Sequence, residues 1–165
     1  MINGEVNIKN ITISDLVFEE RVKLACFTCK NYNKKWCCPP NIPDLNYQKI
    51  LSEYEHLNLV YYQYKFEKEI SQKDRIESTS ILHNYLLKME QTLGNNNNPM
   101  VVSFIGGCCK LCGYDCESNV CLHHTKRRIP FEALGINIVA VMKKIGVSIV
   151  FPPKKYFYRI GLIAW

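Results

Sequence analysis

Nine cysteines fall into two blocks, and this pattern constrains the fold more than any other feature of the chain. Cys26, Cys29, Cys37 and Cys38 form the first block, Cys108, Cys109, Cys112, Cys116 and Cys121 the second, and residues 39–107 contain none. The first block, "CFTCKNYNKKWCCPP", ends on a proline pair, which fixes φ and removes two backbone donors. The chain starts "MINGEVNIKN", without the basic-then-apolar pattern of an export signal, and has no apolar run long enough to cross a bilayer. A soluble, cytoplasmic protein with no membrane partner is therefore expected. In that reducing compartment clustered thiols bind metal or do redox chemistry rather than pair as disulfides, and the odd count agrees. With 165 residues, 47% of them hydrophobic, the chain can bury one core without staples, so a single Cys-rich domain over 1–165 is expected.

The cysteine-free spacer reads as structure. Tyr47, Ile50, Leu51 and Tyr54 recur at i, i+3, i+4 and i+7, one face of a helix that begins just after Pro43. "LNLVYYQYKF" is aromatic and β-branched, and reads as a strand. Ser71 with Asp74 forms a capping pair for a long helix with an apolar stripe of Leu82, Tyr85, Leu86, Met89 and Leu93, ended by "GNNNNP". Met100 to Ile105 is a strand that runs into Gly106-Gly107 and the second cysteine block. "FEALGINIVAVMKKIG" reads as one helix, weakened at Gly135 and stopped at Gly146. Val147–Phe151 and Tyr156–Ala164 read as two final strands about "PPKK". The order predicts an α/β or α+β fold, a single sheet of about five strands packed with helices, with two Cys-rich metal-binding loops.

In the second block Cys109, Cys112, Cys116 and Cys121 are spaced by two, three and four residues, similar in style to ferredoxin runs, in which one loop wraps several corners of a cubane. Gly106, Gly107 and Gly113 permit the positive φ angles such a loop uses. In the first block Cys26 and Cys29 make a Cys-x-x-Cys pair, and Cys38 precedes Pro39-Pro40 as in Cys-Pro iron ligands. Three ligands follow from this pattern. The fourth is left open among Cys37, Cys108, a non-cysteine group and a substrate. Iron–sulfur, as one or two [4Fe-4S] clusters, stands ahead of zinc because the sulfurs outnumber the needs of one structural zinc and the second block crowds them. A zinc site would draw on the pairs 26/29 and 109/112, or on His123 or His124. The four histidines otherwise read as surface residues, His56 and His83 on helical segments and His123 and His124 in a loop. A dithiol redox motif at Cys26-Cys29 ranks below both metals, because its flanks read as turns.

The formal charge of +6 counts every thiol as neutral. Thiolates around a metal lower it, so nucleic acid is disfavoured as a partner. Lys34, Lys35, Lys110, Lys126, Arg127 and Arg128 lie near cysteines, where positive charge lowers thiol pKa values and offsets an anionic cluster. No phosphate loop, dinucleotide fingerprint or Ser/His/Asp set is present, so the residues name no reaction, and a small-molecule substrate stays unassigned. The leading reading is electron transfer or a reductive step for a redox partner protein. The alternative is a structural-zinc module for protein or RNA contacts, with Tyr32 and Trp36 beside Lys34 and Lys35 as its contact face.

From about Lys23 to Leu162 the chain resembles the predicted metal-binding proteins of anaerobic bacteria and archaea grouped as domain of unknown function 2284. The resemblance rests on "CFTC" followed by "WCCPP", on "LSEY", on "GCCKLC", on Cys121 and on "RRIPFEALGINI". It implies that Cys26, Cys29, Cys38, Cys109, Cys112, Cys116 and Cys121 bind metal, with iron–sulfur clusters the usual supposition. The chain departs from the family at Cys37 and Cys108, where a non-cysteine residue is more usual, at Ile129 before Pro130, and at Asn137 in place of Asp.

Overall fold

The computed structural model describes residues 3–67, 69–113, 116 and 119–165. Four strands, β1 (Gly4–Ile11), β2 (Leu57–Lys65), β3 (Val102–Phe104) and β4 (Tyr156–Ala164), form one antiparallel sheet in the order β1-β2-β4-β3. The helices are α1 (Glu20–Phe27), α2 (Tyr47–Ser52), α3 (Gln72–Asn95) and α4 (Ile138–Lys144). The class is α+β. No helix among the described residues is long and apolar enough to cross a membrane.

The sheet is apolar on both faces because β2 and β4 are central. On β2, Leu57 and Leu59 point to one core with Ile160, Leu162 and Ala164 of β4, while Val60, Tyr62 and Tyr64 point to the other with Phe157 and Ile163. Tyr47 and Leu51 of α2 and Val141 and Met142 of α4 cover the first face, and Leu82 and Leu86 of α3 cover the second. Ser71 caps α3 as its spacing with Asp74 predicts: the Asp74 amide donates to Ser71 Oγ at 3.1 Å, and the Ser71 amide donates to the Asp74 carboxylate at 2.9 Å. The Ser71 hydroxyl, donating to the Asp74 carboxylate at 2.7 Å, and then the Ser71 amide hold that carboxyl below its usual pKa.

Three expectations are corrected. Val147–Phe151 is not a strand, so the sheet has four strands rather than about five. Pro152 and Pro153 remove two donors at its end, and Val147 and Ile149 pack on the first core as an irregular segment. The predicted helix from Phe131 onward is two pieces, a 3-10 turn at Phe131–Leu134 and α4, broken where Gly135 takes φ 84°. Asn137 restarts the chain by accepting from the Ala140 amide at 3.1 Å. The approach to the first cysteine block is helical rather than turn-like: α1 runs through Cys26. It is held to the far segment by the Glu19 amide donating to the Gly135 carbonyl at 2.8 Å and the Asn137 amide donating to the Val17 carbonyl at 2.8 Å.

The short strand β3 pairs only with Leu162–Ala164, and beyond it Gly106 crosses the β4 backbone. A Cβ built at Gly106 would lie 2.2 Å from the Ile160 carbonyl oxygen, so no side chain fits there. Replacing Gly106 with Ala is expected to cost about 3 kcal/mol, because the obstacle is backbone and cannot rotate away. Urea unfolding followed by far-UV circular dichroism measures it.

Candidate metal centre

Gly106 and Gly107 aim the second cysteine block. Gly107 takes φ 74°, and its amide donates to both carboxylate oxygens of Glu132, at 3.3 and 3.2 Å. The chain then turns toward the first block, where the Cys109 amide donates to Cys37 Sγ at 3.3 Å. Cys37 Sγ lies 3.8 Å from Cys38 Sγ, and both residues are buried. More bonds tie the blocks. Arg127 Nη1 donates to the Trp36 carbonyl at 2.8 Å, and Arg128 forks onto Glu90 of α3, with Nε 2.7 Å from Oε1 and Nη2 on Oε2. Arg127 and Arg128 therefore hold loops in place.

The first loop is braced from inside. The Cys38 amide donates to the Lys35 carbonyl at 3.1 Å, and the Asn41 amide donates to the Cys38 carbonyl at 2.9 Å. Asn33, at φ 55°, donates its amide to the Pro39 carbonyl at 2.9 Å. Lys35 is only 1% exposed, so it sits inside the block rather than on a solvated basic face. Tyr32 packs edge-on against Phe27, ring centroids 5.2 Å apart.

The thiols fall into two neighbourhoods joined by Cys37 and Cys38. Asn31 Nδ2 stands 3.8 Å from Cys29 Sγ and 3.4 Å from Cys108 Sγ, which brings these two sulfurs together across the blocks. Burial raises the Cys26 pKa, and the Glu132 carboxylate and Cys29 raise it further. Cys26 lies in the last turn of α1, where the helix dipole disfavours a thiolate. A dithiol motif needs the opposite end of a helix. The second neighbourhood gathers at Cys112: burial raises its pKa, then Cys116, Cys109 and Cys121 do, while Lys35 lowers it. Cys112 is exposed, whereas Cys109, Cys116 and Cys121 are partly buried, and the loop between Cys112 and Cys121 lies partly outside the described residues.

At the joint, the Cys109 contact lowers the Cys37 pKa, but Cys38 and burial outweigh it and push it up to about 12. Cys109 is likewise pushed up to about 12 by Cys37 and by burial, against a downward pull from His83. Both thiols stay protonated at neutral pH in the absence of a cation. Among the described residues no three His, Cys, Asp or Glu side chains are already arranged as ligands of one ion. The donors are soft and suit a soft metal.

His83 corrects the expectation of a surface residue. It is 1% exposed, and its Nε2–H donates to the Lys126 carbonyl at 2.8 Å, which seats the tail of the second block on α3. Its spacing could have revealed this, since Thr79, Leu82, His83 and Leu86 repeat at i, i+3, i+4 and i+7, all buried. His56 is exposed and precedes β2 rather than lying on a helix, with its ring 5.1 Å from Trp165. His124 is exposed and His123 partly so.

The sequence model of a family described as predicted metal-binding protein (DUF2284) matches residues 9–164. The chain belongs to this family. No curated protein and no solved structure shows significant similarity to it. The family assignment agrees with a cysteine-rich site assembled from both blocks, and metal binding is its predicted property.

Two outcomes follow. In metal-free protein at mildly alkaline pH, alkylation followed by peptide mass spectrometry is expected to modify exposed Cys29 and Cys112 first, and Cys37 at least about a hundredfold more slowly. Burial also raises the Glu132 pKa above 4.5. Between 4.5 and the raised native value the unfolded chain binds fewer protons, so this group's contribution to stability falls as pH rises through that window. Glu132→Gln is expected to remove that fall, read from urea midpoints across the acid range.

Proposed function

We propose that this protein carries iron–sulfur clusters, of the [4Fe-4S] type, and serves electron transfer or a reductive step for a partner enzyme in the cytoplasm of an anaerobe. The carrying observation is the run Cys109, Cys112, Cys116 and Cys121, spaced by two, three and four residues in a chain of a family predicted to bind metal. Thiolates gathered in one loop need a cation to offset their charge, and binding one releases the protons of the thiols. Soft, numerous sulfur donors favour iron–sulfur over a single structural zinc. When bound, such a cluster supplies one-electron transfer.

In this reading Cys109, Cys112, Cys116 and Cys121 hold one group, and Cys26, Cys29 and Cys38 hold a second or complete the first. Cys108 is the stronger candidate for the open position beside Cys29, since Asn31 reaches both sulfurs. Cys37 already accepts the Cys109 amide and acts as the joint. Lys35, buried beside Cys112, favours its thiolate and offsets negative charge inside the site.

Anaerobic purification with absorbance, iron, acid-labile sulfide and zinc analysis tests the proposal. The expected result is a brown protein with iron and sulfide in equal amounts. A colourless protein with stoichiometric zinc overturns it in favour of a structural-zinc module. Cys112→Ser and Cys121→Ser are each expected to lose iron while keeping the far-UV circular dichroism of the parent, because neither side chain belongs to the two hydrophobic cores.

A further inference from the structure

The edge of β4 is open where β3 ends. Beside it lies a cleft of about 330 Å³, within the range of small-molecule sites. Its walls are largely apolar, with Ile136, Ile138, Ile149 and Phe157 among them, and Gly106 and Gly107 form its inner side. Two guanidinium groups meet on one ring there: Arg159 lies 4.7 Å and Arg75 5.4 Å from the Phe157 centroid. Among the described residues no carboxylate stands within ion-pair distance of either. Arg159 is oriented by Nε donating to Ser78 Oγ at 3.1 Å and Nη2 donating to the Arg75 carbonyl at 3.0 Å. Its Nη1 faces Gly107, 3.5 Å from where a Cβ would be. Glu132 shares the cleft, with its carboxylate occupied by the Gly107 amide.

Two like charges share this partly apolar wall with a single carboxylate, Glu132, which acts on Arg159 and is held by the Gly107 amide, so the two guanidinium groups outnumber their counter-charge and an anion would offset the rest. We propose that this cleft binds a small organic carboxylate with an apolar body, its oxygens on Arg159 and Arg75 and its hydrocarbon against the isoleucines and Phe157. Arginine suits the task because its fork matches a carboxylate. The site does not depend on what the thiols hold, but it adjoins them: Val22 of α1 lines it one helical turn before Cys26, and Gly107 precedes Cys108. A molecule bound there sits against segments that lead into both cysteine blocks.

The test is isothermal titration of hexanoate, 1-hexanol and hexylamine into anaerobically purified, metal-loaded protein at low ionic strength. Hexanoate is expected to bind saturably at one site, with the alcohol and the amine at least about tenfold weaker. Arg159→Gln is expected to weaken hexanoate about tenfold, with Arg159→Lys between it and the parent. Arg75 is exposed on α3, so Arg75→Gln carries the test should the Arg159 variants fail to fold, with an expected loss of several-fold. The proposal is overturned if hexanoate gives no saturable heat at millimolar concentration, if the alcohol or amine binds as tightly, or if Arg75→Gln and Arg159→Gln both bind like the parent. Metal analysis of the same samples separates this result from the iron–sulfur reading: either can fail while the other stands.

Discussion

The contact on which the site depends is the passage of Gly106 over the Ile160 peptide. Because nothing larger than hydrogen fits there, the chain leaves β3 after three residues, hugs the sheet, and takes a positive φ at Gly107 that turns the second cysteine block toward the first. A longer β3 would seal the edge of β4 and carry those cysteines past the first block. The short strand therefore fixes two features at once, the direction of the thiol loop and the open edge beside it.

Around that passage the loops are secured by groups outside the cysteine set. Arg127 reaches the Trp36 carbonyl, Arg128 forks onto Glu90, and His83 holds the Lys126 carbonyl from beneath. Each joins a loop to a rigid element, which is how irregular backbone is kept in one arrangement. Arg127 and Arg128 spend their charge in this bracing. Lys35 is buried, with its charge felt at Cys112.

Where the chain carries strong local signals, sequence reading found the structure. The Ser71–Asp74 box, the aromatic alternation of β2 and the Gly-rich exit from β3 lie where their chemistry puts them. Signals failed where tertiary packing decides. α1 has little amphipathic character and no buried residue, so its helix follows from docking on the 3-10 turn rather than from its own pattern. Val147–Phe151 has strand-like composition, yet its proline-bounded end and its packing under the first core leave it irregular. In the site, clustering of sulfurs was legible from spacing. The part played by Cys37 was not, since adjacency to Cys38 says nothing about an amide that arrives from far along the chain. His83 was legible in principle from the α3 stripe, had the polar residue been counted with the apolar ones.

The Cys109-to-Cys37 bond links positions 72 residues apart. Closing so long a loop carries an entropic penalty that only the finished β2–β4–β3 pairing can offset, so the thiols meet after the sheet has formed rather than before it. During synthesis the first block is exposed well before its counterpart exists. Joining of the two halves therefore waits on the scaffold: a chain that has not completed its sheet lacks the contact that brings Cys109 to Cys37.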